Sequence, residues 1–277
     1  VLKTNSGYVL FYSRFNYDLG PWNAPDAWTI GCVQTKDFAH FDNDRDISPA
    51  SCASPGDCVM WGGRYVLPYQ RYPRKPVELC FSESDNLRRW SSPKPFLEAA
   101  LQLPWNKEHR VIDPTFIVVG NTLHCFFVGS AMIKDAAGKP VHTNLLGHAI
   151  TTDPSLDKWQ ILTPDQPLIG PSPRAPDGVE NIAVFKTGNL WTMVYSEGLV
   201  HQHIARATSP DLMTWTETGP IELPVQKWMA RRYGAPYVWA DGDGWVMILM
   251  GENAAGRTTF GLLTSHDGVQ WSLLPEN

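Results

Sequence analysis

The segment VVGNTLHCFFVG, residues 118–129, reads as the end of one strand, a tight turn on Gly120 and a second strand rich in aromatic and β-branched residues. The same unit returns four more times: TNSGYVLFYS (4–13), MWGGRYVLPYQ (60–70), KTGNLWTMVYS (186–196) and ADGDGWVMILMG (240–251). A second signal follows each copy. TKDFAHF (35–41), SESDNLRRW (82–90), TTDPSLDKW (151–159), TSPDLMTW (208–215) and TSHDGVQW (264–271) each run from a small hydroxyl residue through an acid to an aromatic. Two separate signals repeating together at roughly 50–60 residues are the mark of a radial array of four-stranded blades. The expected fold is all-β: a five-bladed β-propeller of four-stranded antiparallel blades. It forms one domain over 1–277, with blades at approximately 1–47, 48–97, 98–170, 171–223 and 224–277.

Composition agrees with strands and turns. The 277 residues include 23 prolines, 22 glycines and 12 tryptophans, which break helices and favour short strands. With a net charge of −5 and no basic run, nucleic acid is not an expected partner. No apolar run is long enough for a membrane-spanning helix. Of five cysteines, Cys52 and Cys58 flank a short loop and are candidates for pairing, while burial as small hydrophobes is the commoner fate. The compartment is left open.

The repeat also supplies a map. In such a blade the start of the innermost strand, the loop after the second strand and the crossover to the next blade share one face. The corners, with Asp85, Asp211 and Asp267 as turn formers, lie on the other. Seven residues back from the turn Gly120 lies Asp113, and eight back from Gly188 lies Glu180. Two successive inner strands therefore open on a carboxylate, near Arg110, Arg231 and Arg232 in sequence or by the map. An acid there either caps a turn or serves a site, and the shared register favours the site.

VIDPTFIVVGNTLHCFFV (111–128) and VENIAVFKTGNLWTMVYSEG (179–198) resemble the third- and fourth-blade openings of five-bladed propeller glycoside hydrolases, above all family 43. The resemblance implies an inverting hydrolysis of glycosidic bonds in plant or microbial polysaccharide side chains. It implies Glu180 as the general acid and Asp113 as the aspartate that tunes it. The family's general base belongs to the first-blade opening, which by this count falls upstream of Val1. Asp18 and Asp26 are the internal candidates, with Glu197 and Asp57 behind them. The family's Glu-Gly-Pro is Glu-Asn-Ile here, so the subfamily is distant.

A sugar site needs aromatic faces and forked polar donors. Trp22, Tyr69, Arg71, Trp105, Trp228, His201, Arg232 and Tyr233 map to the loop-bearing face and are the candidate substrate-binding residues. His201 and His203 alternate along a strand and are read as hydrogen-bonding groups. No cofactor is required and no metal ligands are assigned, although the central channel leaves room for a structural cation. Two alternatives stand beside the hydrolase. A propeller glycoside phosphorylase would replace the base by phosphate held on Arg231, Arg232 and Tyr233 with Arg71 or His201. A non-catalytic carbohydrate-binding propeller would keep the fold alone.

Overall fold

In the computed structural model, residues 1–24, 26–135 and 137–274 are described, so the last three residues of the expected fifth blade, 275–277, lie outside the described residues. The described chain forms five four-stranded antiparallel sheets, each built from strands consecutive in sequence, and the fold class is the five-bladed β-propeller. The first sheet holds β1 (Leu2–Thr4), β2 (Gly7–Phe15), β3 (Trp28–Thr35) and β4 (Phe41–Asp46); the second holds β5 (Val59–Trp61), β6 (Arg64–Arg71), β7 (Glu78–Ser84) and β8 (Lys94–Pro95). The third comprises β9 (Ile112–Val119), β10 (Thr122–Lys134), β11 (Pro140–Thr151) and β12 (Gln160–Ile161). The fourth comprises β13 (Val179–Thr187), β14 (Leu190–Glu197), β15 (His203–Ser209) and β16 (Thr216–Pro220). The fifth comprises β17 (Arg232–Asp241), β18 (Gly244–Glu252), β19 (Thr258–Ser265) and β20 (Ser272–Leu273).

The chain divides into two compact units, Val1–Met132 with Leu146–Pro167, and Ile133–Leu145 with Leu168–Asn277. In the first unit Ile30, Cys52, Cys58, Leu67, Tyr69 and Cys80 form one buried cluster. Phe81, Phe96, Phe116 and Trp159 form a second, with successive ring centroids 5.9, 5.5 and 6.0 Å apart. In the second unit the core gathers Val194, Ile204, Met229, Met247, Leu249, Leu263 and Trp271. All five cysteines are buried free thiols, so Cys52 and Cys58 do not pair; their sulfurs fill apolar space.

The repeated corners have one construction. Thr35, Ser84, Thr151, Ser209 and Ser265 each accept a backbone N–H two or three residues on. Two residues after the hydroxyl, Asp37, Asp153, Asp211 and Asp267 accept further backbone N–H groups, and their carboxyls lie below the usual aspartate range, Asp37 through the His40 side chain first and the other three through those N–H groups first. In the second corner that place belongs to Asn86, which takes the N–H groups of Arg88 and Arg89. Asp85 is therefore not the turn former there. It sits one residue too early.

Candidate active site

Strand openings carry an unusual backbone. Ser54, Asp113, Asn181 and Ala235 all have φ between 50 and 51°, a left-handed region that side chains other than glycine enter at a cost. Where these openings pair with a second strand, the ladder slips: between Ile112 and Thr115 opposite Val128 and Phe126, between Glu180 and Ile182, and between Gly234 and Tyr237. These are β-bulges, and the slipped amides are satisfied by side chains of second strands. Ser13 Oγ accepts from Ser54 N–H at 2.8 Å, Gln70 Oε1 from Asp113 at 3.0 Å and Ser196 Oγ from Ala235 at 2.8 Å. Since serine and alanine also occupy this position, the conformation belongs to the fold. What singles out Asp113 is its carboxylate.

The bulges also correct the register. The residue that matches Asp113 is Asn181, and Glu180 matches Ile112. An equal count of seven from Gly120 and Gly188 gives this match, whereas seven in one strand and eight in the other set Glu180 in its place; both openings carry one bulged residue.

In the first unit, Asp113 is only 9% exposed at the start of β9. Its neighbour Pro114 has its carbonyl pressed against Gly56, where an added Cβ would come within 1.8 Å, so glycine is required. Asp57 accepts from the Phe116 N–H at 3.2 Å. Asp26 takes the Ser51 hydroxyl at 3.1 Å, and Asp18 is exposed on a short 3-10 turn whose amide bonds Asn16.

In the second unit, Glu180 opens β13. Its Oε1 accepts from Gln202 Nε2 at 2.9 Å and its Oε2 from Asn144 Nδ2 at 3.0 Å. Both amides are fixed by close backbone packing. Asn144 bridges to Gly178, where a Cβ would meet the Asn144 carbonyl at 1.9 Å, and Gln202 lies over Gly234, where a Cβ would meet its Oε1 at 2.1 Å. Neither amide was found in the sequence; the one signal was a polar residue beside an apolar run, Asn144 before LLGHAI. Glu197, which ends β14 and pairs with Val179, is 1% exposed and differently held. Arg174 reaches it with Nη2 at 3.0 Å and Nε at 3.3 Å, Ser172 donates at 2.8 Å and His203 Nε2 stands at 2.7 Å. Burial pushes this carboxyl up, but those hydrogen bonds together outweigh burial and hold it below the usual glutamate range. An anion locked this way is a poor general base.

The remaining candidates divide. Trp22 is 65% exposed, its ring parallel to Tyr72 at 6.1 Å. Arg71 is half-buried with Glu78 at 3.4 Å, and His201 is exposed in the loop before β15. Tyr69 and Trp105 are corrections. Tyr69 is 1% exposed with its hydroxyl on Ser82 at 2.6 Å, and Trp105 is stacked on Phe127 with Nε1 donating to the Thr163 carbonyl at 2.8 Å. Neither ring has a face to offer a sugar. Trp228 likewise fills the space over Gly251 and Gly261. Arg231 and Arg232 both bind Glu252, each at 2.5 Å, and Arg232 also reaches the Leu199 carbonyl at 3.4 Å. Tyr233 is half-buried against the core of the second unit, its amide donating to the Gln202 carbonyl. Among the described residues no three His, Cys, Asp or Glu side chains converge as metal ligands.

No protein-family model matches the sequence, and no curated protein matches it. Solved structures do. A thermostable family-43 glycoside hydrolase aligns over 99% of this chain and 91% of its own, with a TM-score of 0.69 and 13% identity. The Cellvibrio cellulosa alpha-L-arabinanase complexed with arabinohexaose aligns over 89% and 91%, with a TM-score of 0.62 and 13% identity. A Bombyx mori GH32 beta-fructofuranosidase aligns over 93% of this chain with a TM-score of 0.64 and 14% identity, and this chain spans 52% of its length. At such identities the likeness shows the fold: a five-bladed β-propeller shared with family 43 and GH32 enzymes.

Proposed function

We propose that the chain is a glycoside hydrolase of the family 43 type, acting with inversion, with Glu180 as the general acid. The observation that supports this reading most is the setting of Glu180. Gln202 donates to one carboxylate oxygen and Asn144 to the other, so two side-chain amides fix the orientation of the carboxyl group. Amide donors position a carboxyl group without fixing its charge as firmly as a guanidinium does, so the group is able to deliver a proton to a leaving oxygen and recover it. Asp113 is assigned the auxiliary, pKa-tuning role by the family resemblance, which gives the general base to the first-blade opening. Inversion would have the base activate a water on the sugar face opposite the leaving group. The substrate class is a furanoside or pyranoside side chain of a plant or microbial polysaccharide.

The test is turnover on a panel of aryl glycosides and plant oligosaccharides, with and without phosphate, beside Glu180→Gln. Hydrolysis that ignores phosphate and falls by about 10²–10⁴ in the variant supports the assignment. Turnover that requires phosphate would make the protein a phosphorylase instead. Binding of sugars with no turnover on any panel member would make it a carbohydrate-binding propeller.

A further inference from the structure

Arg110, half-buried in the first unit, stands without a counterion among the described residues. Arg110 precedes β9, its Nε is enclosed and has no acceptor, and among the described residues no carboxylate pairs with it. Half-burying a charge without a partner costs part of its hydration, and the open side of the Arg110 guanidinium suits an anion from elsewhere. The hydroxyl of Tyr72 is also enclosed and without a partner. The Asp113 amide bonds Gln70 at 3.0 Å and the Val111 amide bonds the Val77 carbonyl at 2.8 Å, so the segment after β6 that carries Tyr72 runs beside the one that carries Arg110; burial raises the Tyr72 phenol, and the charge of Arg110 opposes that rise.

Tyr72 belongs to an aromatic wall. Its ring is parallel to Trp22, at 5° and 6.1 Å, and edge-on to Trp28 at 6.2 Å; Trp28 in turn packs on Phe15 at 4.9 Å. The Trp28 Nε1–H donates to the Trp22 carbonyl at 2.6 Å, which pins the loop that carries the exposed indole. Arg74 is exposed two residues beyond Tyr72, so the positive character extends past Arg110. An exposed indole face matches the C–H face of a sugar ring, and a guanidinium fork matches a planar carboxylate.

We infer that Trp22, Tyr72 and Arg110 form a subsite for a uronic acid residue, with the sugar ring on the Trp22 indole and its carboxylate as the missing counterion of Arg110. The inference rests on the carbohydrate reading above and narrows it to acidic glycans. It requires no turnover.

Binding is measured by calorimetry on the full chain carrying Glu180→Gln, so that the probe survives. The probes are a galacturonate trimer, its full methyl ester, and inorganic phosphate and sulfate alone. The expected result is at least about tenfold tighter binding of the acid than of the ester, a gap that shrinks with salt. Arg110→Met should close the gap, Arg110→Lys should narrow it, and Trp22→Ala should weaken both sugars alike. Removing an uncompensated charge should not lower the melting temperature, so folding does not confuse the comparison. Equal binding of acid and ester, no binding of either, or a gap that survives Arg110→Met would overturn the subsite. Binding of inorganic phosphate or sulfate in place of the sugar would overturn it too, leaving a simple anion site. Failure of hydrolysis in the panel above, with the acid–ester gap intact, would sink the proposed activity and spare this subsite.

Discussion

Glu180 and Glu197 stand one ladder step apart, at the start of β13 and the end of β14, yet they are built for different work. Glu197 is almost wholly buried and carries a forked arginine, a serine hydroxyl and a histidine. Those donors favour its anion, so its charge is a structural constant at ordinary pH. Glu180 lies against two primary amides, each positioned by a glycine that admits no Cβ. Similar glutamates in one unit therefore differ in what their donors permit. The first is an anchor; the second is proposed as a proton carrier.

The largest effects should come from exchanging the carboxyls for amides. Glu180→Gln is expected to lose about 10²–10⁴ in kcat/KM while its thermal midpoint barely moves. Glu197→Gln should do the reverse, losing about 1–3 kcal/mol of stability by denaturant unfolding and keeping its activity per folded molecule. Stability lost in the first variant, or activity lost without instability in the second, would break the contrast.

A smaller effect sharpens it. Gln202→Leu removes a donor that favours the ionised form of Glu180, so the pKa of the acid should rise. The basic limb of the kcat/KM profile should then move upward by about one pH unit. A limb that stays in place would mean that Gln202 does not report on the titrating group.

Acid unfolding gives the mildest test, because a second source of pH dependence must be separated first. In the first unit burial, with the charge of His124 beside it, holds the His148 imidazole down at about 3. The unfolded chain takes up that proton near about 6.5, so its contribution to stability is full above that pH and declines as pH falls toward the folded value. Glu197, also depressed in the fold, contributes above the ordinary glutamate range and is lost as pH falls through its lowered pKa. His148→Phe should remove the earlier part of the decline, and Glu197→Gln the later part. Melting curves from pH 7 to pH 3 would show which part each variant flattens.

Much of the fold was legible because its signals are local. A glycine turn between two strands, and a hydroxyl residue with an acid two places on, need only a few consecutive residues to declare themselves. Register at the strand openings was not legible. Counting to within a residue pairs Asp113 with Glu180, but the acid in one strand stands seven before its turn glycine and in the other eight, and Asn181 is the true match. Tyr69 and Trp105 were misread for a related reason. Each lies beside a loop in sequence, but the side chain turns inward, one onto Ser82 and the other onto Phe127. Asn144 and Gln202 come to Glu180 from 36 and 22 residues away, a convergence that no spacing rule announces.

The proton-donor role of Glu180 is tested most directly by the dependence of rate on leaving group. Wild type and Glu180→Gln would be compared on one sugar carrying a series of aryl groups, from dinitrophenyl to unsubstituted phenyl. A departing dinitrophenolate needs no proton, whereas phenolate does. The account predicts a shallow dependence in the wild type, a steep one in the variant, and rates that converge at the dinitrophenyl end. Parallel dependences, with the variant slower by the same factor on every aryl group, would contradict it.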